Sequence, residues 1–110
     1  MPGRKLDLLR GTLELMILQT LDLGPLHGIG ITDRIRQVTR GTFDVKPGSL
    51  FPALHRLEQD GSIEGDWTVT EDGRRIKSYS LTAAGRAQLS SEKRQWDRIV
   101  VAMSQVLGAS

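Results

Sequence analysis

Apolar side chains recur at helical spacing near the start of the chain and predict a first helix over residues 6–23. One face of this helix is formed by Leu6, Leu9, Leu13, Met16, Ile17, Thr20 and Leu21. A second apolar strip, on nearly the opposite face, is formed by Leu8, Leu15 and Leu18. A helix that is apolar on two sides must be covered on two sides. We therefore expect one face to pack in the chain's own core and the other against a second subunit.

Two shorter helices are predicted next, over about residues 28–39 and 47–60. The pair Gly24-Pro25 separates them from the first helix, because proline cannot continue a helix. Their apolar stripes are Ile31, Ile35 and Val38 in one helix, and Leu50, Leu54 and Leu57 in the other. Pro47 suits the first turn of the third helix, and Gly61 suits a cap at its end.

The period of the pattern changes from helical to alternating after Gly61. Residues 63–70 and 75–81 alternate apolar and polar side chains, and Glu71-Asp72-Gly73 between them is a turn signal. The sequence therefore predicts a β-hairpin. A hairpin of two strands is marginal alone, so we expect it to pack on the helices.

A last, long helix is predicted over residues 83–107, with Thr82 as its N-cap. Gly85 in its first turn weakens this assignment slightly. One side is lined by Leu89, Trp96, Ile99, Val100, Met103, Val106 and Leu107. The helix would be roughly 35–40 Å long, which is longer than the rest of so small a domain covers. We expect its far half to pack on another chain as a coiled coil does.

The order of these elements, three helices followed by a hairpin, is typical of a winged helix-turn-helix. We predict a mostly α (α+β) fold with a long C-terminal dimerisation helix. Residues 1–82 would form the winged helix-turn-helix DNA-binding domain, including the N-terminal helix. Residues 83–110 would form the dimerisation helix, and the two parts would make one compact unit.

Composition narrows the class of protein. The chain has 110 residues, of which 38% are hydrophobic, and no cysteine, so disulfides, zinc–cysteine sites and thiol catalysis are excluded. The net charge of +2 is too small to prove a polyanionic partner, although the pI of about 9.4 allows one. Charged residues interrupt the first apolar stretch, and no stretch is long enough to span a membrane. We expect no signal peptide, no membrane contact and a cytoplasmic location.

The outer face of the third helix is the first candidate for chemistry. Most side chains on this face are short, uncharged or basic. We predict DNA contacts from Lys46, Ser49, Pro52, His55, Arg56 and Gln59. Arg56 can bond a guanine edge with two hydrogen bonds, and Lys46 at the helix start suits a phosphate. The alternative is that this face is only the solvated side of a structural helix.

The hairpin is the second candidate, because Arg74, Arg75 and Lys77 follow its turn. A basic wing suits the phosphate backbone or a minor groove beside the major-groove site. A short run of charges is also common in a solvated loop. Four acidic residues share the wing and would moderate its affinity, namely Glu64, Asp66, Glu71 and Asp72.

The two tryptophans are assigned to packing. Trp67 would pack within the hairpin, and Trp96 within the core or a dimer interface. Alternatively, the flat ring of Trp96 would form one side of a binding site for an aromatic effector at that interface. The predicted dimer contacts are Leu8, Leu15, Leu18, Trp96, Val100, Met103 and Leu107.

Catalysis is not indicated. The only histidines are His27 and His55, so there is no triad signature, and we predict no metal site, no cofactor and no enzymatic activity. Residues 28–30 begin a dinucleotide-type glycine pattern, but Asp33 stands at the place of the third glycine and no strand is predicted before it.

Four segments together resemble the PadR family of transcriptional regulators. They are residues 9–15 (LRGTLEL), 24–28 (GPLHG), 48–58 (GSLFPALHRLE) and 73–86 (GRRIKSYSLTAAGR). The resemblance implies a homodimeric repressor whose winged helices bind an inverted repeat and whose first and last helices pair the subunits. The single terminal helix resembles the short form of the family. Members respond to phenolic acids or planar drugs, so the resemblance also implies a small aromatic effector.

The sequence departs from the family at a few positions. Phe51 and Ile29 stand where tyrosine is frequent, and Ser78 and Ser80 stand where Tyr and Arg are common. These changes put single hydrogen bonds in doubt and leave the scaffold intact. Two further hypotheses stay open. One is a winged-helix module that binds proteins, and the other is a sensor of aromatic ligands without strong DNA binding.

Overall fold

The computed structural model describes residues 10–108. Within that range the elements are α1 (Arg10–Leu21), β1 (Leu26–His27), α2 (Gly28–Val38), α3 (Pro47–Gln59), β2 (Ile63–Val69), β3 (Arg75–Leu81) and α4 (Ala83–Gly108). The predicted fold class, a winged helix-turn-helix with a long last helix, is confirmed. The predicted positions Leu6, Leu8 and Leu9 lie outside the described residues.

Both predicted boundaries of α3 are confirmed. Pro47 occupies the first turn, where its missing N–H leaves no helical bond unmade. At the other end, Gly61 has a φ of 77°, and the Ser62 N–H donates to the Leu57 carbonyl at 3.0 Å. This left-handed turn closes the helix and directs the chain into β2.

α1 is the central helix of the core, since it contacts α2, α3, α4 and β3. The largest completely buried side chains are Ile17, Leu18, Leu21, Ile31, Leu50, Leu54, Leu57 and Ile63. Each such side chain stabilises the fold by about 1.5–3 kcal/mol. The core therefore joins the first three helices to the start of the hairpin.

Two sequence predictions about the core are wrong. Leu18 was assigned to the strip facing a second subunit, but it is completely buried in its own chain because α1 is covered on more than one side by that chain. Val38 was assigned to the inward stripe of α2 and is exposed, because it borders an open cavity between α1 and α2.

The sheet has the strand order β1-β3-β2, with both pairings antiparallel. The predicted hairpin of β2 and β3 is confirmed. The strand β1 was not predicted, because two residues are too few to show an alternating pattern. It pairs Leu26 with Tyr79 and His27 with Ser78, and so holds the start of α2 against the hairpin.

The start of α4 depends on Thr82 and Gly85. The Thr82 hydroxyl accepts a hydrogen bond from the Gly85 N–H at 3.0 Å, which confirms the predicted N-cap. A Cβ on Gly85 would overlap the carbonyl oxygen of Ser62. Gly85 is therefore what allows the first turn of α4 to lie against the backbone that leads into β2.

α4 is largely exposed after its first two turns. Its buried residues are Gly85 and Leu89, both near its N-terminal end. Large apolar side chains along the rest of it are exposed, namely Trp96, Ile99, Val100, Val101, Met103, Val106 and Leu107. The part of the chain that the structure describes contains no helix that could cross a membrane.

Candidate nucleic-acid interface

The outward face of α3 is a nearly neutral surface. Ser49, Pro52, His55 and Gln59 are all exposed on it. The first turn of the helix carries no acidic residue. Free N–H groups at a helix N-terminus attract anions, and here no carboxylate of that turn competes for them. This face can therefore approach a phosphate backbone and present short polar side chains to base edges.

Lys46 stands at the N-terminal end of this face. Its backbone carbonyl accepts hydrogen bonds from the N–H groups of Ser49 and Leu50, and so begins the helix. Its ammonium group donates to Asp44 at 2.8 Å. An exposed ion pair of this kind contributes about 0.2–1 kcal/mol at most, so a phosphate could replace Asp44 at little cost.

Arg56 is held differently from its neighbours on α3. Its Nε donates to Oε2 of Glu14 on α1 at 2.9 Å, and the two side chains are only 28% and 15% exposed. The sequence predicted a free side chain that reads a guanine edge, whereas the structure holds it in an ion pair. Arg56 thus connects the candidate recognition helix to the central helix of the core.

Phe51, which stands where the family frequently has tyrosine, makes a contact between two helices. A Cβ on Gly28 would lie 3.1 Å from two carbon atoms of its ring. The half-exposed ring therefore packs closely on the first residue of α2. Gly28 and Phe51 are a point of contact between the first turns of α2 and α3.

The pairing register of the hairpin gives its two faces opposite character. One face carries Gly65, Trp67 and Val69 of β2 beside Tyr79, Lys77 and Arg75 of β3. Glu64 and Asp66 alternate with the residues of β2 just named, and therefore point to the other face. The strand carboxylates that were expected to moderate the affinity of the wing are separated from Arg75 and Lys77 by the sheet.

Lys77 connects the wing to α3. Its Nζ donates to Oε1 of Glu58 at 3.0 Å, and this hydrogen bond raises the pKa of Lys77 above its ordinary value. A Cβ on Gly65 would overlap the side chain of Lys77. The lysine thus crosses β2 in the space that this glycine leaves open, and it is engaged within the protein.

The other two cations of the wing are more accessible. Arg74, beside the turn, is largely exposed and lies 3.6 Å from Asp72. The pKa of Asp72 lies below its ordinary value, mainly because its carboxylate accepts a hydrogen bond from the Thr70 hydroxyl. The guanidinium carbon of Arg75 lies 4.6 Å from the centre of the Trp67 ring. Arg74 and Arg75 are therefore the wing cations that can reach a ligand.

The predicted dimer contacts fall into two places. Leu15 and Trp96 line the same open cavity of about 310 Å³, between α1 and α4, together with Ile99. Val100, Met103 and Leu107 are exposed along α4. An adjacent cavity of about 370 Å³ lies between α1, α2 and Lys93 of α4. Among the described residues, no group of acidic or histidine side chains could hold a metal ion.

Comparisons with known proteins find relatives of this chain and of its fold. The model of the transcriptional regulator PadR-like family matches residues 17–91. Transcriptional regulator Rv3488 of Mycobacterium tuberculosis is 36% identical over 90 residues, which are 82% of this chain and 80% of that protein. A PadR family transcription regulator from Clostridium difficile superposes with a TM-score of 0.76 at 29% identity, over 86% of this chain and 97% of that one. A transcriptional regulator from Clostridium thermocellum gives a TM-score of 0.81 at 26% identity, over 87% and 90%.

Proposed function

Because the chain belongs to the PadR-like family of transcriptional regulators, we propose that it is a sequence-specific repressor that binds an inverted repeat as a homodimer. Regulators of this family bind DNA and are not enzymes, so the partner of the proposed repressor is double-stranded DNA. Binding to chromosomal DNA would put the protein in the cytoplasm.

The observation that carries this proposal is the pair of neighbouring surfaces on α3 and the wing, which Lys77 and Glu58 join. Short polar side chains of α3 suit base edges in a major groove. Lys46 at one end and the exposed wing arginines, Arg74 and Arg75, at the other suit the phosphates on either side. We expect α3 to supply sequence readout and the cations to supply most of the affinity.

The homodimer is supported by the apolar side of α4. A soluble monomer rarely exposes a contiguous apolar stripe of this length, so Val100, Met103 and Leu107 require a cover. A second copy of α4 offers the same stripe, as a two-fold interface demands. The cavity lined by Leu15 and Trp96 would lie at the edge of that interface.

The effector is the finer part of the proposal. The Trp96 ring is partly exposed in an open and largely apolar cavity, which suits a planar aromatic molecule. A ligand bound there would touch both α1 and α4. It could thereby alter the spacing of the two recognition helices, which would be roughly 34–36 Å for half-sites one turn of DNA apart.

Selection of DNA from a random duplex library tests the proposed recognition of an inverted repeat. The retained sequences should converge on an inverted repeat with half-sites about one helical turn apart. The variant Ser49→Ala should relax the preference at one position of each half-site, whereas Arg74→Ala should weaken binding to all sequences alike. Retention without any consensus would contradict sequence-specific recognition.

A protein-binding winged helix is the alternative, and salt separates it from the proposal. Release of counterions makes DNA binding fall steeply as salt is added. A module that binds proteins through an apolar surface would not show that slope with DNA. Quenching of Trp96 by planar aromatic compounds that leave DNA binding unchanged would instead favour a ligand sensor.

A further inference from the structure

We propose that Trp67 is a DNA-contacting residue. Together with Arg75 it would bind the sugar–phosphate backbone where the DNA strand passes between α3 and the wing. We call these two residues the Trp67–Arg75 stack. The proposal rests on the proposed DNA-binding function and adds to it a contact that the sequence analysis assigned to packing within the hairpin.

The exposure of Trp67 is the first observation. The side chain is 55% exposed although it is the largest in the hairpin, and Val69 on the same face is exposed too. The packing role predicted for it from the sequence is therefore largely unfilled within this chain. A large aromatic side chain that is exposed to solvent on a strand favours contact with a binding partner that covers it.

The direction of Trp67 is the second observation. Its strand partner is Lys77, which reaches across to Glu58 on α3. The buried residues Ile63 and Tyr79 share the same face of the sheet. The Trp67 ring is therefore on the side of the wing from which Lys77 reaches α3, farther out than the buried part of that face.

Charge identifies the partner as a polyanion. The guanidinium group of Arg75 lies over the Trp67 ring at 4.6 Å, and the Lys77 ammonium lies 5.8 Å from the same ring. The carboxylates of β2 project from the opposite face, and Glu58 is bonded to Lys77. A ligand at this face meets an aromatic ring beside the exposed guanidinium of Arg75, with Lys77 already paired to Glu58, which fits a sugar–phosphate backbone better than an acidic or an apolar protein surface.

The chemistry of the stack suits that ligand. A guanidinium held over the face of an aromatic ring still has N–H groups free to donate hydrogen bonds to a phosphate. Stacking also reduces the rotamer freedom that Arg75 would lose on binding. The indole N–H can donate to a neighbouring phosphate oxygen, and the ring can pack on a deoxyribose. None of these contacts reads a base, so the stack adds affinity to every sequence alike.

Tryptophan fluorescence tests the proposal directly, because the chain has two tryptophans. In the Trp96→Phe variant all tryptophan emission comes from Trp67. The DNA selected as described above is added to this protein, while the anisotropy of a labelled strand reports binding in parallel. We expect protection of Trp67 from acrylamide, with a quenching constant at least about twofold lower, at the same midpoint as the anisotropy change. If Trp96→Phe itself weakens binding, the difference between wild type and Trp67→Phe gives the same signal.

Affinity gives an independent readout. Trp67→Ala should weaken binding about tenfold to the selected sequence and to a scrambled one alike. Arg75→Ala should weaken DNA binding less in the Trp67→Ala variant than it does in the wild-type protein. Thr68→Ala, on the opposite face of β2, is the matched control and should bind as wild type does. Binding of DNA with no protection of Trp67 and less than a twofold effect of Trp67→Ala would overturn the inference and leave the proposed function standing. Failure of every variant and of wild type to bind DNA would overturn both.

Discussion

Arg56 has two possible roles, and replacing it together with Glu14 separates them. If the ion pair seen between α1 and α3 is its main role, then removing either partner should loosen the recognition helix. If Arg56 instead leaves Glu14 to read a base, then removing Glu14 should free it. The variants are Glu14→Gln, Arg56→Met and the double replacement, which keep the size of both side chains nearly constant.

The expected energy follows from the geometry of the pair. Two unit charges about 4 Å apart attract by about 4 kcal/mol at the effective dielectric constant of a protein surface. Desolvation and side-chain entropy remove much of this, and exposed pairs retain only about 0.2–1 kcal/mol. Since Glu14 and Arg56 are 15% and 28% exposed, we expect a coupling energy of about 1–2 kcal/mol.

Urea unfolding at one fixed protein concentration measures that coupling energy, because the stability of an oligomer depends on concentration. The same variants are then titrated with DNA. We expect Glu14→Gln and Arg56→Met each to weaken DNA binding, and the double replacement to be no worse than the more damaging single one. The exposed pair Arg36–Asp33, 54% and 45% exposed, is a matched control and should give a coupling energy of only about 0.3 kcal/mol.

One pattern would refute this reasoning. The coupling energy would be no larger than that of the control pair, and Glu14→Gln would bind DNA as tightly as the wild type or more tightly. Arg56→Met would lose affinity only for the selected sequence. Arg56 would then be the base-reading residue that the sequence predicted.

Three further results are expected. Gly85→Ala should destabilise the fold by about 1–3 kcal/mol in urea unfolding, because a Cβ at this position overlaps the Ser62 carbonyl. Gly48→Ala is the control and should not destabilise the fold, because its Cβ meets open space. Equal effects of the two substitutions would contradict the assigned contact. Tyr79 is the only tyrosine, and burial raises its pKa, so its absorbance titration should lie above pH 10. Because the folded state favours the protonated phenol, its contribution to stability is complete below the unfolded pKa and is lost as the pH rises through the folded pKa; Tyr79→Phe should move alkaline unfolding to higher pH, and no movement would contradict the assignment. Val100→Asp should shift the protein toward monomers in analytical ultracentrifugation and weaken DNA binding with it, since α4 is proposed to join two copies; an unchanged mass would argue against that interface.

The regular elements could be predicted from the sequence because each has a strong period. The leucine stripe of α3 leads to the buried residues Leu50, Leu54 and Leu57. The alternation of the hairpin leads to the buried Ile63, but Trp67 and Val69 in the same pattern are exposed. α1 was harder, because a helix that is apolar on two sides does not reveal which side its own chain covers. Leu18 was misassigned for that reason.

The functional surface was predictable as a set of residues but not as a set of contacts. Arg56 and its partner Glu14 are 42 positions apart, and no local pattern joins them. The same holds for Lys77 and Glu58, which are 19 positions apart. An ionisable side chain that is outward on a helical wheel can therefore be engaged within the protein, and only the tertiary structure separates it from a free one.

The central claim is that α3 and the wing form a DNA-binding surface, and the salt dependence of DNA affinity tests it most directly. Fluorescence anisotropy would give the affinity for the selected inverted repeat and for a scrambled duplex at a series of salt concentrations. Three phosphate contacts in each subunit, from Lys46, Arg74 and Arg75, predict a slope of log affinity against log salt of about −5 for a dimer. The selected sequence should bind at least about a thousandfold more tightly than the scrambled one. A slope near zero, or equal affinity for the two duplexes, would contradict the account.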